Sequence, residues 1–304
     1  MRAGVLVLLF VAYQLWGTGL QTDRTQDRLS NELQELFEQT ASTTTPPPAL
    51  PPDAPVTAPT DLPVPEPGDP IGRIVIPDID VDFVFVQGVD LRDLRDGPGH
   101  FPQTPLPGQP GNAALAGHRT TYAAPFHRLD EVAPGSDITV ETVQGTFTYR
   151  VDAQETPEGE TVGHFIVKPS AVEILEQDGA NRLTLMACHP KYSAAQRIVV
   201  TATLVSNPAP PTTVPAAVPE ATVTFDASND PLAGGDANAW PTAIAWTLAA
   251  LAAWFLMWFV GQRLYRRHQS RAWQVPPYLI GLPIVTVLLY LAFQDIARLL
   301  PAAY

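Results

Sequence analysis

The chain predicts a β-rich domain, a barrel or sandwich, flanked by membrane-spanning helices. Three observations carry that prediction. Between Ile71 and Ser206 the sequence is a series of short β-branched runs punctuated by Gly and Pro. Near both ends lie apolar stretches without a charged residue. Between these stretches and the β-rich part lie Pro-rich segments unable to bury a core.

After Arg2 the chain carries no charge until Asp23, and Val5 to Tyr13 is its apolar centre. No small-x-small cleavage pattern follows, so residues 1–22 are expected as a retained signal anchor. Residues 23–70 are expected outside the membrane. Within them, Leu29, Leu33, Leu36 and Phe37 stand at helical spacing in Asp27 to Gln39. That predicts a short amphipathic helix lying on the membrane or on the domain. From Thr43 to Pro70 the composition of Pro, Thr, Ala and Asp predicts an extended spacer.

Residues 71–206 form the expected folded domain, of roughly ordinary single-domain size. Gly72 to Ile76, Val81 to Val86 and Asn112 to Ala116 read as strands. Ile138 to Val143 and Thr146 to Val151 flank Gln144-Gly145, a hairpin signal. Leu91 to Arg95 and Ala124 to Leu129 read as brief helices, and His100 as part of a Gly-Pro loop. Residues 207–239 read as a second linker. Residues 240–262 and 277–297 read as spans joined by a basic loop, 263–276, containing Arg263, Arg266, Arg267 and Arg271. Excess positive charge marks cytoplasmic segments. Arg2 and the basic loop therefore both predict a domain held outside the plasma membrane. The net charge of −13 argues against nucleic acid as a partner.

The sole cysteine, Cys188, ends the apolar run Leu183-Thr184-Leu185-Met186-Ala187. Arg197 begins a second run, Ile198 to Val205, beyond His189-Pro190-Lys191-Tyr192-Ser193. Two such runs predict neighbouring strands with a thiol and a guanidinium side by side. A leftover cysteine outside the cell points to a reactive thiol or an intermolecular bond. Free thiols have a pKa of about 8.5 and need a base or cation to act as nucleophiles at neutral pH. His118 ends the strand-like Asn112 to Ala116 run after Gly117, where the mouth of a barrel would be. Cysteine attack, histidine proton transfer and an arginine on the oxyanion or substrate together make an acyl-transfer set. His189 adjoins Cys188, but adjacent strand residues face opposite ways, so it is not the expected base. One cysteine and scattered histidines lack zinc spacing, and no acidic cluster marks a calcium site, so no metal and no cofactor are expected.

Leu115-Ala116-Gly117-His118-Arg119, Thr184-Leu185-Met186-Ala187-Cys188 and Arg197, in this order, resemble the sortases, cysteine transpeptidases of Gram-positive surfaces. The family's cysteine motif is Thr-Leu-x-Thr-Cys, and this chain departs from it at Ala187. The stretches His118-Arg119-Thr120-Thr121-Tyr122 with Pro125-Phe126, and Cys188 to Ser193 with Gln196-Arg197, are most similar to class E, the actinobacterial housekeeping type. Val11 to Thr18 is similar to the same group.

The resemblance implies an eight-stranded β-barrel with its cleft at one end. It implies cleavage of a C-terminal sorting signal of Leu-Pro-x-Thr-Gly or Leu-Ala-x-Thr-Gly type between Thr and Gly, through a thioester on Cys188. The acceptor would be a peptidoglycan precursor or cross-bridge amine. Secreted proteins bearing the signal and the membrane lipid are the implied partners. Tyr122 and Thr120, just past His118, are candidates for binding substrate. The C-terminal span pair is more typical of pilin-polymerising sortases, which is the alternative. A second alternative is another cell-wall cysteine transpeptidase, although the Ser-x-Gly-Cys-x-Arg pattern of the L,D-type is absent. A third is a non-enzymatic binding module with Cys188 as a core residue.

Overall fold

The β-branched runs form strands and the charge-free runs form helices in the computed structural model, which describes residues 2–43, 59–60, 62, 64–212 and 236–299. Most of the Pro-rich spacer and the larger part of the second linker, with the extended conformation expected of them, lie outside the described residues. The chain divides into two compact units, Met1–Leu15 with Gly235–Pro301 and Trp16–Gly234 with Ala302–Tyr304. Helix α1 (Arg2–Ala12) belongs to the first and helix α2 (Thr18–Thr43) to the second, with a π-helical turn, Tyr13–Gly17, between them.

The second unit holds strands β1 (Pro70–Ile76), β2 (Val81–Gln87), β3 (Gly99–His100), β4 (Asn112–Ala116), β5 (Asp137–Thr142) and β6 (Gly145–Val151). It continues with β7 (Gln154–Glu155), β8 (Thr161–Val162), β9 (Phe165–Val167), β10 (Arg182–His189) and β11 (Gln196–Leu204). Pairing runs β10-β4-β3-β2-β1-β5-β6-β11, and β11 pairs back to β10, so eight strands close into a barrel. Closure leaves no open sheet edge around the ring. Strand β9 adds to the N-terminal part of β11, at Arg197 to Val199, while β6 takes its C-terminal part, at Ala202 to Leu204. Strands β7 and β8 form a separate two-stranded ribbon.

Alternation sorts the side chains. Leu183, Leu185 and Ala187 of β10 join Ile198, Val200 and Ala202 of β11 in the main core, with Ile74, Phe85, Leu115, Phe147 and Tyr149. The intervening Met186 and Cys188 join Ala114, Ala116, Leu94 and Phe101 in a second cluster on the other face.

The structure moves several expected boundaries. The β5–β6 turn is Val143-Gln144, one residue before the expected pair, and Gly145 already opposes Thr142. Leu91 to Arg95 shrinks to a 3-10 turn at Asp93–Arg95. Ala124 to Leu129 is a run of turns, because Tyr122, Ala123 and Ala124 all have positive φ, 53°, 59° and 44°, and cannot start a right-handed helix. His100 sits in β3, fully buried, with Nε2 2.9 Å from the Pro105 carbonyl and Nδ1 2.9 Å from Gln87 Oε1.

The expected short amphipathic helix is the middle of the longer α2, and it lies on the barrel. Leu29 and Leu33 are buried against Val84 and Val86, flanked by Leu36 and Phe37. Strand β3 is too short to cover β2, and α2 completes that edge. The Gln26 amide donates to the Val84 and Asp96 carbonyls (2.9 and 2.7 Å) and accepts from the Val84 N–H (2.8 Å). Thr22 donates to the Arg95 carbonyl (3.0 Å), and Thr18 Oγ1 accepts from the Tyr122 N–H (3.2 Å).

In the first unit, α3 (Trp240–His268) and α4 (Val275–Leu299) are each long and apolar enough to cross a membrane. At 1.5 Å per residue, each exceeds the hydrocarbon thickness of about 30 Å. Leu251, Phe255, Leu256, Leu279, Ile280 and Val287 are exposed, as a lipid-facing surface requires. A side chain at Gly281 would meet Met257 at 2.8 Å, so glycine lets the two helices approach closely there. Arg263, Arg266 and Arg267 lie within α3, so much of the basic segment is helical. Phe10 and Tyr13 pack on α4, with Phe10 meeting Phe293 edge-on at 5.2 Å and Tyr13 meeting Tyr290 at 5.5 Å.

Two outcomes follow for the barrel unit. Leu29→Ala removes a fully buried side chain and destabilises the α2 contact by about 2–5 kcal/mol. Hydrogen exchange in the intact chain reads this as faster opening at Val84 and Val86, and unchanged exchange would separate α2 from the barrel. Burial lowers the His100 pKa from 6.5 to about 4, so the folded ring stays neutral while the unfolded one protonates. Stability is then fully present above pH 6.5 and falls on acidification towards pH 4, by about 3 kcal/mol in all. The urea midpoint of the barrel, followed from pH 7.5 to 4, falls accordingly, and less steeply in His100→Gln.

Candidate active site

Strands β10 and β11 are antiparallel, and their register opposes Cys188 directly to Arg197. Directly opposed residues project to the same face of a sheet. On the other side of β10, strand β4 runs parallel, with Ala116 level with Met186. The Gly117 N–H continues this ladder to the Met186 carbonyl (3.0 Å). Two residues beyond each member of the Ala116–Met186 pair stand His118 and Cys188, at the same level and of the same parity. The expected thiol, imidazole and guanidinium thus come from three adjacent strand ends.

A second contact agrees with that register. Arg119 and His189 follow His118 and Cys188 by one residue, and Arg119 donates to His189 Nδ1 at 3.0 Å. The chain therefore places His118 with Cys188 on one side and Arg119 with His189 on the other. His189 is half-buried, and its Nδ1 accepts from Arg119.

All three expected residues are buried, Cys188 at 5% exposure and His118 and Arg197 at 1% each. Arg197 is the largest fully buried side chain among the described residues, and a guanidinium cannot shed its charge. It donates to the Ala194 and Gln196 carbonyls (2.9 and 2.8 Å), which hold it against β11. A buried cation beside a thiol can receive negative charge developing on a carbonyl oxygen.

Gly117 sets the approach to His118. A side chain there would meet the Phe126 ring at 2.6 Å. Phe126 belongs to the main core, and its N–H donates to the His118 carbonyl (3.1 Å). The Tyr122 ring lies 4.9 Å from the His118 ring, and the Arg95 guanidinium lies over the Tyr122 ring, 5.9 Å from its centroid. Tyr122 is buried, whereas Thr120 is half-buried in the intervening turn. Lys191 and Tyr192 lie in the β10–β11 loop, Tyr192 exposed and Lys191 3.5 Å from Asp130.

The sequence reading passed over Arg119 and Asp130. Arg119 is 3% exposed and pairs with Asp130 at 2.9 Å. Burial pushes the Asp130 carboxyl up, but Arg119 and Lys191 pull it down further, and its pKa ends below the ordinary value. Burial lowers His164, with Arg119 adding to the effect against Asp130. His189 is likewise lowered by burial and then by Arg119. A charged residue directly behind the histidine of an apolar strand end was the available signal. Among the described residues no three His, Cys, Asp or Glu side chains gather as a metal site.

A cysteine, a histidine and an arginine thus stand at adjacent strand ends of a closed barrel, and residues 74–205 match the family model for the sortase domain. Sortase SrtE1 of Streptomyces coelicolor is 29% identical over 212 residues, 65% of this chain and 53% of the relative. Sortase SrtE2 of the same organism is 26% identical over 209 residues, 67% of this chain and 78% of the relative. The chain thus spans about half the length of SrtE1. Among solved structures, sortase E1 from Streptomyces coelicolor with a tripeptide in its active site is 26% identical, covering 48% of this chain and 92% of that one at a TM-score of 0.40. A Clostridium perfringens sortase D5 transpeptidase is 24% identical, covering 60% and 98% at a TM-score of 0.43.

Gly117→Ala forces a side chain into the Phe126 ring and is expected to destabilise the barrel by about 1–3 kcal/mol. A lowered thermal midpoint of the intact chain checks this, and an unchanged midpoint would mean that the ring yields freely.

Proposed function

We propose that the chain is a membrane-anchored cysteine transpeptidase acting on secreted proteins with a C-terminal Leu-Pro-x-Thr-Gly or Leu-Ala-x-Thr-Gly sorting signal. The direct opposition of Cys188 and Arg197, with His118 level with the thiol on the next strand, carries this reading. The Cys188 thiolate attacks the Thr carbonyl carbon, and Arg197 takes the charge of the resulting oxyanion. The Thr–Gly C–N bond breaks as protonated His118 gives its proton to the departing Gly amine. A cell-wall amine then attacks the thioester, its proton passes to His118, and the Cys188 thiolate leaves. Tyr122 and Thr120 are assigned to the approach of the sorting signal, Tyr122 through its contact with the His118 ring.

The site is held outside the cell in this reading. Helix α1 with the turn after it supplies an N-terminal anchor, α3 and α4 enter and return through the membrane, and the basic segment from Arg263 to Arg271 faces the cytoplasm. The identified Streptomyces coelicolor relatives are both E-type, which favours surface-protein anchoring over pilin polymerisation.

The test is turnover of a Leu-Ala-x-Thr-Gly peptide in the presence of an amine. Wild type forms the transpeptidation product and Cys188→Ala does not. His118→Ala and Arg197→Ala each lose about 100-fold or more. Equal turnover by wild type and Cys188→Ala would end the proposal, and a near-normal rate in Arg197→Ala would remove that residue from the chemistry.

A further inference from the structure

Arg119 is a buried charge that the acyl-transfer set does not use. Its guanidinium donates to the Cys188 carbonyl (3.2 Å) and to His189 Nδ1 (3.0 Å), and it forms an ion pair with Asp130 (2.9 Å). Its own carbonyl accepts from the His127 ring Nδ1–H (2.8 Å). Backbone and side chain are therefore both fixed, and the residue they fix is bonded covalently to His118. The hydrogen-bonded part of β4 ends at Ala116 and the Gly117 N–H, so His118 lies beyond the ladder. A guanidinium anchored on the Cys188 carbonyl takes over where the ladder stops.

Burying a full cation for packing alone is unfavourable, since an apolar residue would serve as well or better. The fork geometry of Arg offers what an apolar residue cannot, several directed bonds to one strand end. Asp130, in the 3-10 turn Leu129–Glu131, orients the fork from the far side. Lys191 shares that carboxylate, and His164 and His189 are the other titratable groups bordering the pair.

We propose that Arg119, held by Asp130, is a positioning residue that locks His118 in register with Cys188. The inference rests on the cysteine–histidine reading of the site and deepens it. Arg119 acts through His118, so its loss matters only while His118 is present.

The sole cysteine makes the test clean, because alkylation by iodoacetamide in the intact detergent-solubilised chain reports on Cys188 alone. The rate is followed against pH, beside kcat and KM for cleavage of the sorting peptide. Arg119→Met is expected to shift the alkylation profile and lower kcat by about 10- to 100-fold with KM little changed. Arg119→Lys recovers part of the loss, and Asp130→Asn reproduces it in weaker form. In a His118→Ala background Arg119→Met adds nothing further. A wild-type profile and kcat in folded Arg119→Met would overturn the proposal. So would a loss of equal size in the His118→Ala background, which would make Arg119 merely structural. Should Arg119→Met fail to fold, Arg119→Lys and Asp130→Asn decide by the same two readouts. A wild-type chain that shows the alkylation pattern without cleaving the peptide would instead refute the transpeptidase reading and leave the positioning role standing.

Discussion

The β10–β11 pairing is the constraint on which the rest of the structure depends. It is the seam that closes eight strands into a ring, and it is also where Cys188 meets Arg197. A one-residue slip of β10 would turn Cys188 and Met186 into the main core and away from Arg197. The slip is opposed by every apolar residue of the inward set, Leu183, Leu185, Ala187, Ile198, Val200 and Ala202. The hydrophobic pattern that stabilises the barrel therefore also holds the thiol opposite the guanidinium. The same logic accounts for Ala187, the residue that departs from the family's cysteine motif. Its side chain points into the main core opposite Ile198, away from the face that carries Cys188.

Two arginines are buried at this end of the barrel, and they are satisfied differently. Arg197 has carbonyl partners from its own loop, Ala194 and Gln196. Arg119 has a carboxylate, Asp130, which suits a group meant to stay in place. Desolvating a cation costs several kcal/mol unless its donors are used, so each bond set defines one conformation of the strand ends around it. The two cations flank β10 from opposite neighbours, β11 and the segment after β4.

Much of this was legible in the sequence because it depends on period and charge. The apolar runs Leu183 to Ala187 and Ile198 to Val205 predict two strands, and the short link between them predicts that they pair. Charge-free length predicts α3 and α4. Strands β3 and β9 were not legible, since two or three residues carry no period and are strands only because neighbours supply hydrogen bonds. Ala124 to Leu129 has helix-forming composition, and the left-handed backbone just before it overrides that propensity. The docking of α2 was half legible. Leu29 and Leu33 mark an apolar stripe, but Thr18 and Thr22 fall within the expected anchor and Gln26 just ahead of the expected helix, and nothing local announces the barrel carbonyls and N–H groups they bond. Arg119 was missed for the same reason, because a charged side chain carries no sign of burial until its partners are known.

The polar face of α2 explains how the turn beside His118 keeps its shape. Three consecutive non-glycine residues in the left-handed region, Tyr122 to Ala124, each carry a cost of order 1 kcal/mol or more. Such a segment persists only where its surroundings over-determine it. Thr18 accepts the Tyr122 N–H, the Ala124 N–H donates to the Thr121 carbonyl (2.9 Å), and the His127 N–H donates to the Ala124 carbonyl (2.9 Å). The Tyr122 ring contacts both the His118 ring and the Arg95 guanidinium, and Arg95 is the residue whose carbonyl Thr22 bonds one helical turn further on. Successive turns of α2 thus hold the Tyr122 backbone and the Arg95 backbone. The helix contributes no atom to the acyl-transfer set, yet it fixes the wall against which the imidazole packs.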